Sequence, residues 1–125
     1  MQFSFAIEDD DALPYLKVVC QGDARLDDFR DLASITAVAS MAKRYNRVLI
    51  DLLAVQPHLS FTEHLRLGEH IAGAFAHLEC VATVVPVAEK KGASEEAAQK
   101  AGLMLKTFVE LEAADEWLRA GGDCS

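Results

Sequence analysis

Hydrophobic and polar positions change rhythm several times along the chain. Phe3, Phe5 and Ile7 alternate with smaller or polar neighbours. After the turn-like segment Asp9-Asp10-Asp11-Ala12-Leu13-Pro14, a second run from Tyr15 to Cys20 follows, and the two together read as a strand hairpin. From about Leu26 to Tyr45 neither Pro nor Gly interrupts the chain. Asp27, Asp28 and Asp31 crowd its start and Lys43 and Arg44 its end, the charge order that suits a helix dipole. Arg47-Val48-Leu49-Ile50-Asp51-Leu52 is a short apolar run of the kind that fills a strand covered on both faces, which predicts a central strand. Ser60-Phe61-Thr62-Glu63 fits a capping box, so a second helix begins near Ser60, with Phe61, Leu65, Leu67, Ile71 and Phe75 on one broad face. Beyond it the pattern predicts a buried strand at Val81 to Val87 and a short helix from Glu95 to Ala101 closed by Gly102. A last strand at Leu103 to Val109 and a helix from Leu111 to Ala120 complete the pattern.

This order, ββαβαβαβα, predicts an α/β fold: a mainly parallel sheet of about five strands with about four helices, joined by right-handed crossovers. At 125 residues, 51% of them hydrophobic, the chain is expected to form a single domain over residues 1–125. The formal charge of -8 speaks against nucleic acid and anionic membranes, because sequence-independent affinity for phosphate backbones comes from Lys and Arg. The longest strongly apolar stretch, Val81 to Val87, is far short of the roughly 20 residues that span a bilayer. The first residues lack the basic and apolar regions of an export signal. Cys20, Cys80 and Cys124 show neither CxxC pairing nor zinc-ligand spacing. The expectation is a cytoplasmic protein with structural thiols, no metal and no cofactor.

Several segments carry a family resemblance. Val48-Leu49-Ile50-Asp51-Leu52, a loop into a Ser-capped helix, Val84-Val85-Pro86-Val87, Lys106-Thr107-Phe108 and Ala113-Ala114-Asp115-Glu116-Trp117-Leu118 together resemble the STAS superfamily, particularly its small stand-alone SpoIIAA-like bacterial branch. The resemblance covers about Tyr15 to Leu118 and implies the STAS/SpoIIAA-like fold and a regulatory role through protein contacts. In the anti-sigma-factor antagonists of that superfamily a phosphorylatable Ser lies in an Asp-Ser-Ser/Thr-Gly motif at the start of the helix after the central strand. Ser60 occupies the comparable place, but Leu59 precedes it and Phe61-Thr62 follows, so the acidic residue and the Gly are missing. Ser60 therefore reads as a helix N-cap before it reads as a phosphoacceptor.

No catalytic constellation can be assembled from the remaining residues. His64, His70 and His77 lie on the second helix, where His70 and His77 share a face roughly 10 Å apart and His64 points elsewhere, so the three cannot hold one metal ion. His70 and His77 are expected on a solvated polar face and His64 inside the apolar arc. Open α/β sheets bind ligands in the crevice at the carboxyl ends of their strands, and two helix N-termini point to its neighbourhood. A small anionic or lipid-like ligand there would meet His58, Ser60, His64, Lys90 and Lys91. On the first helix, Phe29, Leu32, Ala33 and Ala37 suffice to cover the sheet, which leaves Ile35, Val38 and Ala42 as a second apolar ridge. The favoured reading is a non-enzymatic interaction domain, acting through an unknown protein partner or as a homodimer through that ridge. Small-molecule binding in the crevice is the alternative.

Overall fold

In the computed structural model, which describes residues 1–8, 10–90 and 92–120, one five-stranded sheet runs in the order β1-β2-β3-β4-β5. β1 (Ser4–Glu8) pairs antiparallel with β2 (Leu16–Ala24). β3 (Arg47–Pro57), β4 (Cys80–Val84) and β5 (Leu105–Phe108) continue the sheet in parallel. Helices α1 (Leu26–Lys43), α2 (Phe61–Ala74) and α3 (Ala93–Lys100) make the crossovers, and α4 (Leu111–Arg119) follows β5. The expected α/β architecture and element order are those observed.

Alternation along the strands divides the interior into two layers. Leu16, Val18, Val48, Ile50, Val81 and Leu105 face α1, α2 and α3, where they meet Phe29, Leu32, Leu67 and Phe75. Leu49, Cys80, Ala82 and Val84 face the other way and pack with Ala114 and Leu118 of α4. The long connection from Tyr15 to α4 is tied by the Tyr15 hydroxyl, which donates to Asp115 Oδ1 at 2.6 Å. Burial, then that bond, push the Tyr15 phenol up to about 12.

Several boundaries differ from the sequence expectation. β4 ends at Val84, and the segment around Pro86 turns into a short 3-10 helix, Val87–Glu89. β5 is confined to Leu105–Phe108. β3 runs on to Pro57, and between Asp51 and Ala54 it carries one residue more than β2 does between Val19 and Gln21. At this bulge the Asp51 carboxylate accepts from the Leu53 amide at 3.0 Å, satisfying a group the ladder leaves unpaired. The extra residue reverses which side chains face inward.

Cys20 is a free thiol that burial, with Asp51 nearby, pushes up to about 12. Cys80 is disulfide-bonded, so the expectation of structural thiols holds for Cys20 and not for Cys80. Cys124 lies outside the described residues. Among the described residues no helix is long and apolar enough to cross a membrane.

Candidate functional site

The carboxyl halves of β3, β4 and β5 form the floor of a pocket of about 120 Å³ roofed by α1, α2 and α3. Its floor consists of alternate residues on one face of the sheet: Ile50 and Leu52, Thr83 and Val85, Leu105 and Thr107. The β3 bulge then brings Val55 and Pro57 to the same side, because a three-residue step from Leu52 restores the inward direction that strict alternation would lose. Phe29, Leu32, Leu67, Ile71 and Phe75 supply the apolar walls from the helices.

Polar groups enter the lining at few points. Ser94 Oγ donates to the His64 carbonyl at 3.1 Å and lies 3.1 Å from His64 Nδ1, joining α2 to the first turn of α3. Thr83 and Thr107 hydroxyls are bonded to each other at 3.2 Å across β4 and β5. Glu95 Oε1 accepts from the Thr107 amide at 2.6 Å, and Gln99 Nε2 donates to the Leu105 carbonyl at 2.8 Å. Leu105 and Thr107 are the β5 residues whose backbone groups point away from β4, so one turn of α3 seals the outer edge of the sheet. α3 can approach this closely because Gly68 of α2 has no side chain. A Cβ there would stand 2.5 Å from Ser94 O and 2.6 Å from Ala97 Cβ.

Of the five residues expected to line the crevice, the four that are described do not converge. His64 lines the pocket, half-buried. His58 is exposed outside it and pairs with Asp23 at 3.0 Å, and bonds from His58 and from the Met1 amine hold the Asp23 carboxyl down at about 2. Ser60 is exposed as the N-cap of α2: Glu63 N donates to its Oγ at 3.1 Å while its own amide donates to Glu63 Oε1 at 3.0 Å. That second bond is the first cause of a lowered Glu63 pKa. Lys90 is exposed and is not among the described lining residues, and Lys91 lies outside the described residues. The carboxylates Glu89 and Glu95 line the pocket, and no Lys or Arg does among the described residues. The pocket is apolar and unsuited to an anion.

His77, expected on a solvated face of the second helix, is exposed but lies past the end of α2, and His70 is not solvated. His77 Nε2 lies 2.8 Å from Ser40 Oγ of α1, and Ser40 is fully buried. His70 is half-buried with its Nε2 out of contact with solvent and without a hydrogen-bond partner, as is Thr36 Oγ1. On the side of α2 that is polar in projection, Arg66, Glu69 and Gly73 are exposed and His70 is half-buried. Thr36 and Ser40 lie one helical turn apart on the buried side of α1. Among the described residues no group of three or more His, Cys, Asp and Glu could hold a metal ion.

The outer face of α1 is a second candidate site. Phe29, Leu32, Ala33, Thr36, Ala37 and Ser40 are buried, whereas Ile35 is 48% exposed, Val38 64% and Met41 55%. Ala42 is exposed beside them.

Two solved structures are similar over nearly the whole chain. One is an anti-sigma factor antagonist from Mycobacterium paratuberculosis, at 16% identity and a TM-score of 0.64, covering 94% of this chain and 95% of that one. The other is an uncharacterised protein with a SpoIIAA-like fold from Shewanella loihica, at 19% identity and a TM-score of 0.57, covering 93% of each chain. No protein-family model and no curated protein matches the sequence. The fold is STAS/SpoIIAA-like.

Proposed function

We propose that this chain is a non-enzymatic regulatory domain that acts through protein contacts on the outer face of α1, and that a second copy of the chain is a partner at that face. The observation that carries the reading is the exposed Ile35/Val38/Met41/Ala42 ridge, which the monomer's own core does not use. The similarity to a structure named as an anti-sigma factor antagonist, a protein that by its name acts on another protein, supports the same class of role. Ser60 is committed to capping α2, and the Cys20 thiol is buried and its pKa raised, so neither is an activated nucleophile.

Charge favours one geometry for self-association. Asp27, Asp28 and Asp31 lie at the start of α1 and Lys43 and Arg44 at its end. A two-fold axis parallel to the helix would set the aspartates of both copies together. An axis perpendicular to the helix near Val38 makes the two helices antiparallel and sets the aspartates of each copy against the basic end of the other.

Sedimentation at micromolar concentration and moderate salt tests this. Wild type is expected to dimerise, Ile35→Asp/Val38→Lys to be monomeric, and Arg44→Glu to weaken the dimer at low salt more than at high salt. A monomeric wild type, or a dimer untouched by the double substitution, removes α1 from the interface.

A further inference from the structure

From the pocket we infer a second, independent activity: it binds a small uncharged molecule with a ring-sized apolar body and one hydrogen-bond acceptor. The volume of about 120 Å³ approaches the roughly 150 Å³ in which an apolar protein cavity takes up benzene. The body of such a ligand would lie among Leu32, Ile50, Leu67 and Phe75.

Charge and hydrogen-bond inventory set the rest of the ligand's chemistry. Glu89 and Glu95 repel a carboxylate or phosphate, and no described Lys or Arg lines the pocket to offset them. The Thr83 and Thr107 hydroxyls carry one proton each, and the bond between them uses one of the two. Whichever way that bond is oriented, one O–H remains at the pocket wall, where a ligand hydroxyl or carbonyl oxygen can accept it. Glu95, engaged by the Thr107 amide, holds β5 in place beneath that donor. The pocket is thus matched to a neutral molecule of the phenol or small cyclic ketone type, and nothing in this depends on the ridge of α1.

The test uses phenol, toluene and benzoate as probes on the whole chain, followed by amide chemical shifts in NMR titrations. Phenol and toluene have nearly the same size and differ by the acceptor oxygen. Both are expected to shift amides of β3, β4 and β5 saturably, with phenol the tighter, and benzoate to bind at least tenfold more weakly than phenol. The double variant Thr83→Val/Thr107→Val keeps both side-chain shapes, removes both hydroxyl protons and is expected to weaken phenol about three- to tenfold, toward toluene, while leaving toluene unchanged. Ala33→Leu, which fills the pocket from α1, is expected to abolish both; wild-type titration with Leu65→Ala outside the lining serves as the control should it unfold. No saturable shift with either neutral probe in wild type, shifts confined to residues away from the pocket, or benzoate bound as well as phenol would overturn the inference.

Discussion

Replacing Gly68 with Ala probes the contact on which the pocket roof depends. The substitution adds one methyl group to the middle of α2, and in an open helix position it would stabilise by up to about 1 kcal/mol through helix propensity. Here the new Cβ would meet Ser94 O at 2.5 Å, Ala97 Cβ at 2.6 Å and Ala98 N at 3.1 Å. Two of these atoms are backbone and the third is an Ala methyl, so none can rotate aside. Restoring ordinary contact needs α3 to retreat by about 1 Å, and overpacking of this kind costs about 1–3 kcal/mol. The retreat also loosens the Ser94 bond to the His64 carbonyl and the Glu95 bond to Thr107. The expected net loss is roughly 1–2 kcal/mol. Gly73 lies one and a half turns further along α2 with nothing within 4 Å of its own missing Cβ. Gly73→Ala is therefore expected to be neutral or to stabilise by about 0.5–1 kcal/mol. Urea unfolding of both variants, followed by far-UV circular dichroism, measures the difference. A Gly68→Ala variant as stable as wild type would show that α3 yields freely, and the close approach would then place no constraint on the pocket.

Ser60→Ala is expected to lower stability by about 0.5–2 kcal/mol through loss of the N-cap, and Ser60→Asp to restore most of it, since Asp caps as well. Equal stability of wild type and Ser60→Ala in the same urea assay would refute the capping role, and loss of function in the host without loss of stability would point back to phosphorylation. The Tyr15 phenol is raised from 10.0 to about 12, so its contribution is complete below pH 10 and lost as pH rises through about 12. Alkaline titration of stability is expected to show a steeper decline over that window for wild type than for Tyr15→Phe, and coincident profiles would show that the Asp115 bond does not hold the proton.

Much of this fold is legible in the sequence because its helix ends announce themselves locally. The Ser60–Glu63 box and the left-handed Gly102 after α3 are set by backbone groups within a few residues of each other. The strand ends are less legible. β4 stops short of the apolar run that contains it: after Val84 the chain turns at Pro86, and Val87, apolar but 77% exposed, opens a 3-10 helix instead of extending the strand. The β3 bulge is a property of pairing between two strands and leaves no mark on either alone. That bulge decides the inward direction of Val55 and Pro57, so this part of the pocket floor cannot be read from alternation.

The histidines show the same division between local and tertiary information. A helical projection separates an apolar from a polar side but assumes a single packed neighbour, the sheet. α2 has three, since α1 and α3 flank it. His64 was placed correctly as partly buried because the sheet-facing arc contains it. His70 is half-buried where projection put it on the solvated side, whereas His77 is exposed as expected but lies past the end of α2, in the turn that brings its ring to Ser40 of α1. A crevice assembled from loop residues on chain proximity likewise put His58, Ser60 and Lys90 together. In the folded chain β2 extends beside β3 as far as Pro57, carries His58 out to Asp23, and turns Ser60 onto its own helix. What remains facing the strands' carboxyl ends is the apolar lining from three helices, which no sequence-local group of residues represents.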